Sequence, residues 1–215
     1  MLSLATRNLY LCLGARDDMA DFLPAVLRGG VDVVQLREKD GDHDLRRAMA
    51  AIMVPICQDF GVPFVMNDFP ELALEVGADG VHVGQDDLPV SYCRKILGPD
   101  AIVGLSTHAP AEFDAGLGEP VTYLSAGPIV PTPTKAGRSG TGAAYALECQ
   151  AKTSLPVFVT GGVNVDTIGD LVRQGLQRFV VVRALTEAAD PYLAARALRD
   201  ALEEARLAGS VEPPQ

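Results

Sequence analysis

Gly77-Ala78-Asp79-Gly80-Val81-His82-Val83-Gly84-Gln85-Asp86-Asp87 holds a helix end, a buried strand and a polar cluster beyond that strand. Gly77 suits the residue that ends a helix, because it has no Cβ to oppose a left-handed turn. Val81 and Val83 belong to a short apolar run, and the polar residues follow at its carboxyl end. The same helix-end-to-strand phrase recurs as Gly29-Gly30-Val31-Asp32-Val33 and as Gly175-Leu176-Gln177-Arg178-Phe179. Working outward, apolar runs appear at Leu9–Gly14, Val31–Arg37, Pro63–Asp68, Gly80–Gln85, Ala101–Ser106, Thr122–Pro128, Pro156–Gly161 and Arg178–Ala184. Short runs rich in Val, Ile, Leu and Phe are the mark of strands buried on both faces. Helical patterns lie between them, with Phe22, Leu23, Val26 and Leu27 on one face, Leu72, Leu74 and Val76 on another, and Ile168, Leu171 and Val172 on a third. A final helix is predicted over Pro191–Leu207, with Asp190 as N-cap and Pro191 at its first position. Eight strand–helix units in one chain predict an α/β fold, the (β/α)8 or TIM barrel. A doubly wound sheet ranks second, because Leu13-Gly14-Ala15-Arg16 offers no glycine-rich turn after the first strand.

The 215 residues suit a single domain over 1–207, with 208–215 read as a disordered tail ending in Glu-Pro-Pro-Gln. A net charge of −10 repels nucleic acid and anionic membrane surfaces, while leaving room for a local positive pocket. No apolar run is long enough to cross a bilayer, and the first residues read as a strand rather than a leader. Cys12, Cys57, Cys93 and Cys149 lie far apart with no C-x-x-C pair, which predicts buried free thiols in a reducing cytoplasm. The oligomeric state is left open by the sequence.

A barrel should gather its functional residues at the carboxyl ends of its strands. The polar residues sit there. Asp68 and Asp87 follow adjacent predicted strands, so their carboxylates can meet despite their distance in sequence. Two hard oxygen ligands suit Mg²⁺, which completes its shell with water and phosphate oxygens. The plainer reading of each is a solvated loop acid, and Asp86 is the weaker ligand candidate. Arg37 and Lys39 alternate along the end of the second strand and therefore point the same way, towards the mouth. With Lys135 they would neutralise an anion bearing several phosphoryl oxygens; pairing with Glu38 or Asp40 is the bland alternative. The segment from Ile129 to Thr141 mixes prolines, hydroxyl residues and Lys135, and Gly137-Arg138-Ser139-Gly140 offers hinge freedom for a lid. Gly161-Gly162 and Val182-Arg183 occupy the usual phosphate corner of such a barrel. His43 reads as an exposed helical residue, His82 as a satisfied interior one, and His108 as a mouth residue within reach of substrate. No Ser-His-Asp arrangement or G-x-S-x-G elbow appears, so covalent hydrolase chemistry has no support.

The phrases Gln35-Leu36-Arg37-Glu38-Lys39, Asn67-Asp68, Gly80 to Asp87, Gly104-Leu105-Ser106-Thr107-His108, Gly127-Pro128-Ile129 with Thr132-Pro133-Thr134-Lys135, and Gly161-Gly162-Val163 stand in order. Together they resemble the thiamine phosphate synthase family. That resemblance implies an enzyme joining hydroxymethylpyrimidine diphosphate to hydroxyethylthiazole phosphate, or its carboxylated form, with release of diphosphate. It implies that Gln35, Leu36, Arg37, Glu38, Lys39, Asn67, Ser106 and Lys135 hold the pyrimidine diphosphate. Arg37, Lys39, Ser106 and Lys135 would be the catalytic members. Asp68 and Asp87 would carry Mg²⁺. Thr132, Pro133, Thr134, Gly162, Val182 and Arg183 would hold the thiazole phosphate. The implied reaction is dissociative: the C–O bond to diphosphate breaks first, and the thiazole nitrogen captures the resulting carbocation. One position departs, since Arg183 stands where the family commonly has Ser.

Three other readings compete. A thiazole tautomerase would lack the full diphosphate and metal set, which is complete here. A non-catalytic phosphate-binding barrel would bind both substrates without releasing diphosphate. A sugar-phosphate epimerase or isomerase would use Asp68 and Asp87 as acid and base, but the surrounding cations favour a metal–diphosphate role.

Overall fold

The structure, a computed structural model, describes residues 2–131 and 140–209. Eight strands alternate with helices: β1 Leu9–Leu13, β2 Val33–Leu36, β3 Phe64–Asn67, β4 Gly80–Val83, β5 Ile102–Thr107, β6 Tyr123–Ala126, β7 Val157–Val159 and β8 Phe179–Val181. Every neighbouring pair is parallel, and β1 pairs with β8, so the sheet closes. The helices are α1 Met19–Arg28, α2 His43–Asp59, α3 Pro70–Val76, α4 Val90–Leu97, α5 Pro110–Gly116, α6 Gly142–Ala151, α7 Val165–Arg173, α8 Arg183–Thr186 and α9 Pro191–Gly209. This is the (β/α)8 barrel that the alternation predicts. The single turn of α8 after β8 is an addition that the sequence did not announce. α9 runs through Ala208 and Gly209, beyond the boundary read at 207. The rest of the predicted tail, 210–215, lies outside the described residues.

Strand alternation builds two separate apolar layers. Leu9, Leu11, Val34, Phe64, Met66, Val81, Val103, Leu124, Val157 and Phe179 face outward and pack beneath the helices. Tyr10, Val33, Val65, Ile102, Tyr123 and Phe158 face inward and, with Leu4, fill the lower half of the barrel. Successive strand residues point to opposite faces, so the next inward position on several strands lies one layer higher. There the side chains turn polar: Cys12, Gln35, Asn67, His82, Ser106 and Ser125. The floor is therefore dry and tightly packed, and the upper half is a polar chamber.

The helix ends follow ordinary chemistry. The Asp42 carboxylate accepts from the Leu45 amide at 2.8 Å, capping α2. Asn164 and Thr167 form a reciprocal capping box at α7. Asp190 accepts from the Leu193 amide at 2.9 Å at the start of α9, as its position before Pro191 predicts. In α3 the expected face is only partly right. Leu72 is buried but Leu74 is 59% exposed. Two residues along a helix turn by about 200°, so Leu72 and Leu74 cannot share a side, and Ala73 takes the inner place instead.

Gly104 makes room for the ring of Tyr123. A Cβ there would lie 2.1 Å from Cζ of Tyr123. The Tyr123 ring rests on bare backbone. Gly104→Ala is expected to cost about 1–3 kcal/mol of stability through this overpacking, read as a lower urea midpoint.

Candidate functional site

A cavity of about 610 Å³ opens at the carboxyl ends of the strands. Its walls include Gln35, Arg37, Lys39, Asn67, Asp68, Asp87, Ser106, Gly162, Val182 and Arg183, which the sequence singles out separately. Asp86, Gln85 and His108 also line it. Leu36 and Glu38 do not. Leu36 is 1% exposed and packs in the outer layer under the helices. The Glu38 carboxylate accepts from the amides of Ala15, Asp40 and Gly41, which holds its pKa below the usual carboxylate range. Period-two alternation therefore gives the mouth Gln35, Arg37 and Lys39, while Leu36 and Glu38 serve the scaffold. Thr132, Pro133, Thr134 and Lys135 lie outside the described residues, as does most of the segment read as a lid. The chain on either side is tied together, with the Thr141 amide donating to Pro128 at 2.8 Å and the Gly142 amide to Ile129 at 3.0 Å.

Asp68 follows β3 with a φ of 65°, the only non-glycine residue among those described in the left-handed region. Asp is one of the few side chains that tolerates this conformation. Its amide donates to the His82 carbonyl of β4 at 2.9 Å. The Asp87 carboxyl group lies close enough to act on it electrostatically, and Lys39 Nζ stands 3.3 Å from its Oδ2. Burial raises the Asp68 pKa, Asp87 raises it further, and Lys39 opposes both. The second carboxylate is anchored by the Gly84 amide, which donates to Asp87 Oδ2 at 2.7 Å. Two oxygen-donor groups from adjacent strands thus stand side by side with a cation against them. A hard divalent ion fits that donor set, because magnesium needs only one or two carboxylates and draws its other ligands from water and phosphate. Among the described residues no group of three or more His, Cys, Asp or Glu gathers as a metal cage.

The chamber floor is a connected polar chain. Tyr10 and Tyr123 hydroxyls lie 2.9 Å apart, and Tyr123 Oη is 2.8 Å from His82 Nδ1. His82 Nε2 is 2.9 Å from Ser106 Oγ, which Ser125 Oγ approaches at 3.4 Å. Cys12 Sγ donates to Gln35 Oε1 at 2.9 Å. Burial pushes both phenols well up, so they stay neutral donors and acceptors. His82 is the satisfied interior histidine that its place in a strand implies, and it braces Ser106 from below. His108 bonds its neighbour Glu112, Nδ1 to Oε2, at 3.0 Å. His43 is exposed at the start of α2.

On the opposite wall Gly161 and Gly162 have φ of 92° and 72°. These conformations carry the main chain past Pro128 and Val130, where a Cβ would lie 2.6 and 2.3 Å from them. Asn164, which caps α7, and Arg183, at the first position of α8, line the same wall. Tyr10, Cys12, Tyr123, Ser125, Asn164 and Glu187 are lining residues that the sequence reading missed. For the first four the signal was present: each is an inward position on a strand whose neighbours in sequence face the helices.

A family model described as thiamine monophosphate synthase matches residues 9–185. A protein of Mycobacterium sp. (strain KMS) named thiamine-phosphate synthase is 41% identical over 213 residues, covering 93% of this chain and 94% of its own. A Nostoc punctiforme protein of the same name is 38% identical over 186 residues, and the match spans 53% of its longer chain. Among solved structures, thiamine phosphate pyrophosphorylase from Pyrococcus furiosus superposes with a TM-score of 0.83 at 25% identity, over 92% of this chain and 96% of its own.

Tyr123→Phe keeps the ring but removes the hydroxyl that joins Tyr10 to His82. The expected result is a loss of about 1–3 kcal/mol in denaturant unfolding, the cost of leaving buried polar groups one partner short. An unchanged midpoint would show that the floor chain carries no such weight.

Proposed function

The chain belongs to the thiamine monophosphate synthase family, and on that premise we propose that it joins hydroxymethylpyrimidine diphosphate to hydroxyethylthiazole phosphate, releasing diphosphate and forming thiamine phosphate. It is a transferase of small molecules. The observation that carries the reading is the meeting of Asp68, Asp87, Lys39 and Arg37 on the wall of one cavity. No helix among the described residues is long and apolar enough to cross a membrane. The four cysteines are free and buried, which suits a reducing, cytoplasmic setting.

In this reading Gln35 and Asn67 hold the pyrimidine end, while Arg37, Lys39 and Lys135 neutralise the diphosphate. Ser106, fixed from below by His82, offers its hydroxyl to the same substrate. Mg²⁺ held by Asp68 and Asp87 would supply further charge stabilisation to the leaving phosphoryl oxygens. The cations act most when the C–O bond lengthens and charge moves onto diphosphate, which lowers the barrier without a nucleophile or a dedicated base from the protein. Thr132, Pro133, Thr134, Gly162, Val182 and Arg183 hold the thiazole phosphate so that its ring nitrogen faces the cationic carbon, and placement supplies the rest of the acceleration. The Arg183 guanidinium replaces a hydroxyl contact with a forked, charged one.

Incubation with both substrates and Mg²⁺, followed by mass detection, should yield thiamine phosphate and diphosphate in equal amounts. Binding of both substrates with no diphosphate released would instead identify a non-catalytic barrel. Asp87→Ala and Lys135→Ala should each cut turnover by about 100-fold or more. The expected stability cost is at most about 1 kcal/mol for Asp87→Ala, which gives up one exposed hydrogen bond. Parallel loss of folding and turnover in both variants would contradict the assignment.

A further inference from the structure

Arg46 is the one charged side chain among the described residues that is buried, at 5% exposure. It lies on α2, outside the cavity wall, and the functional reading gives it no part. Its Nε donates to the Glu38 carbonyl at 2.7 Å and its Nη2 to the Lys39 carbonyl at 3.0 Å. Its guanidinium carbon sits 4.3 Å from the centroid of the Phe69 ring. Phe69 directly follows Asp68, and Lys39 Nζ is 3.3 Å from Asp68 Oδ2. The contacts therefore close a circuit: Arg46 to the Lys39 backbone, Lys39 to Asp68, Asp68 to Phe69 through the chain, and Phe69 back to Arg46.

We propose that Arg46 is a positioning residue that sets the spacing between Lys39 and Asp68, and so the geometry in which magnesium diphosphate is received. The inference rests on the assignment of Lys39 to diphosphate and of Asp68 to the metal. Only a planar group with donors along its edge and a π-complementary face can do both jobs at once. Lysine would offer a single charge without the fork or the flat face. Stability alone is a poor reason for a cation here, since a buried charge costs several kcal/mol to desolvate and an apolar side chain of similar volume often serves as well. What the guanidinium adds is orientation. The Glu38 carboxylate completes the clamp, accepting from the Asp40 and Gly41 amides at 3.1 Å each, so the backbone around Lys39 is held from two sides. His43 packs edge-on against Phe69 with centroids 5.0 Å apart, which fixes the ring on which Arg46 rests. The Lys39 side chain is itself 47% exposed, so its reach is governed by where its backbone is pinned.

Calorimetric titration of the full chain with Mg²⁺ plus inorganic diphosphate, and separately with thiazole phosphate, tests the proposal. Arg46→Lys is expected to weaken magnesium diphosphate binding by about tenfold or more, and to leave thiazole phosphate affinity within about twofold. In a Lys39→Ala background the same substitution should add less than about twofold, because Arg46 acts through Lys39. Phe69→Leu removes the stacking face while keeping Arg46 and should weaken magnesium diphosphate in the same direction; it decides alone should Arg46→Lys not fold. Wild-type affinity for magnesium diphosphate in the folded variants would overturn the proposal. So would an equal loss for both ligands, which marks general loosening, or full additivity with Lys39→Ala. A wild-type chain that takes up no magnesium diphosphate would refute the functional assignment itself, and this inference with it.

Discussion

Closure of the sheet between β1 and β8 is the constraint on which everything else depends. Once the barrel closes, each strand must give alternate residues to an interior of fixed size, and the other half must be apolar enough to seat the helices. The lower interior meets that demand with Tyr10, Val33, Val65, Ile102, Tyr123 and Phe158. One layer up, the same alternation delivers Cys12, Gln35, Asn67, His82, Ser106 and Ser125, and above them the strands end. The site is therefore a consequence of where strands stop. Side chains far apart in sequence, such as Asp68 and Asp87, become neighbours because β3 and β4 are neighbours.

The chemistry builds on a contrast within that interior. The buried aromatic floor gives Ser106 a firm seat, through Tyr123 and His82, and the more open mouth holds the cations. Asp68 joins the two regions. Its left-handed backbone and raised pKa both make it an uncomfortable carboxylate. Strain of that kind persists where the surroundings hold a residue in place for a ligand. A divalent ion and a diphosphate would relieve the repulsion between the two acids and take Lys39 as a partner.

Much of this was legible in the sequence. The eight short apolar runs set the strand count, glycine phrases such as Gly77 to Val83 marked where helices hand over to strands, and the strand ends pointed to Gln35, Arg37, Asp68, Asp87, Ser106 and Gly162. Legibility failed where residues act through space rather than at a strand end. Arg46 looks like an ordinary exposed helix cation until α2 is docked over the loop after β2. No local pattern reveals that the hydroxyls of Tyr10 and Tyr123 meet across the barrel. Leu36 and Glu38 were drawn into the site as members of a contiguous phrase, although alternation alone turns them away from it. The face assigned to α3 failed because Leu72 and Leu74 are two residues apart, a strand period rather than a helical one.

In the proposed function, two carboxylates from adjacent strands and the cations beside them receive a metal-bound diphosphate. Crystals of the chain grown with Mn²⁺ and the pyrimidine diphosphate test it most directly, because the metal can be located by its anomalous scattering. One strong peak is expected, bonded to carboxylate oxygens of both Asp68 and Asp87, with diphosphate oxygens on the same ion and Lys39 turned from Asp68 towards them. A metal bound elsewhere, or a diphosphate held with both carboxylates turned away from it, would refute that role for Asp68 and Asp87.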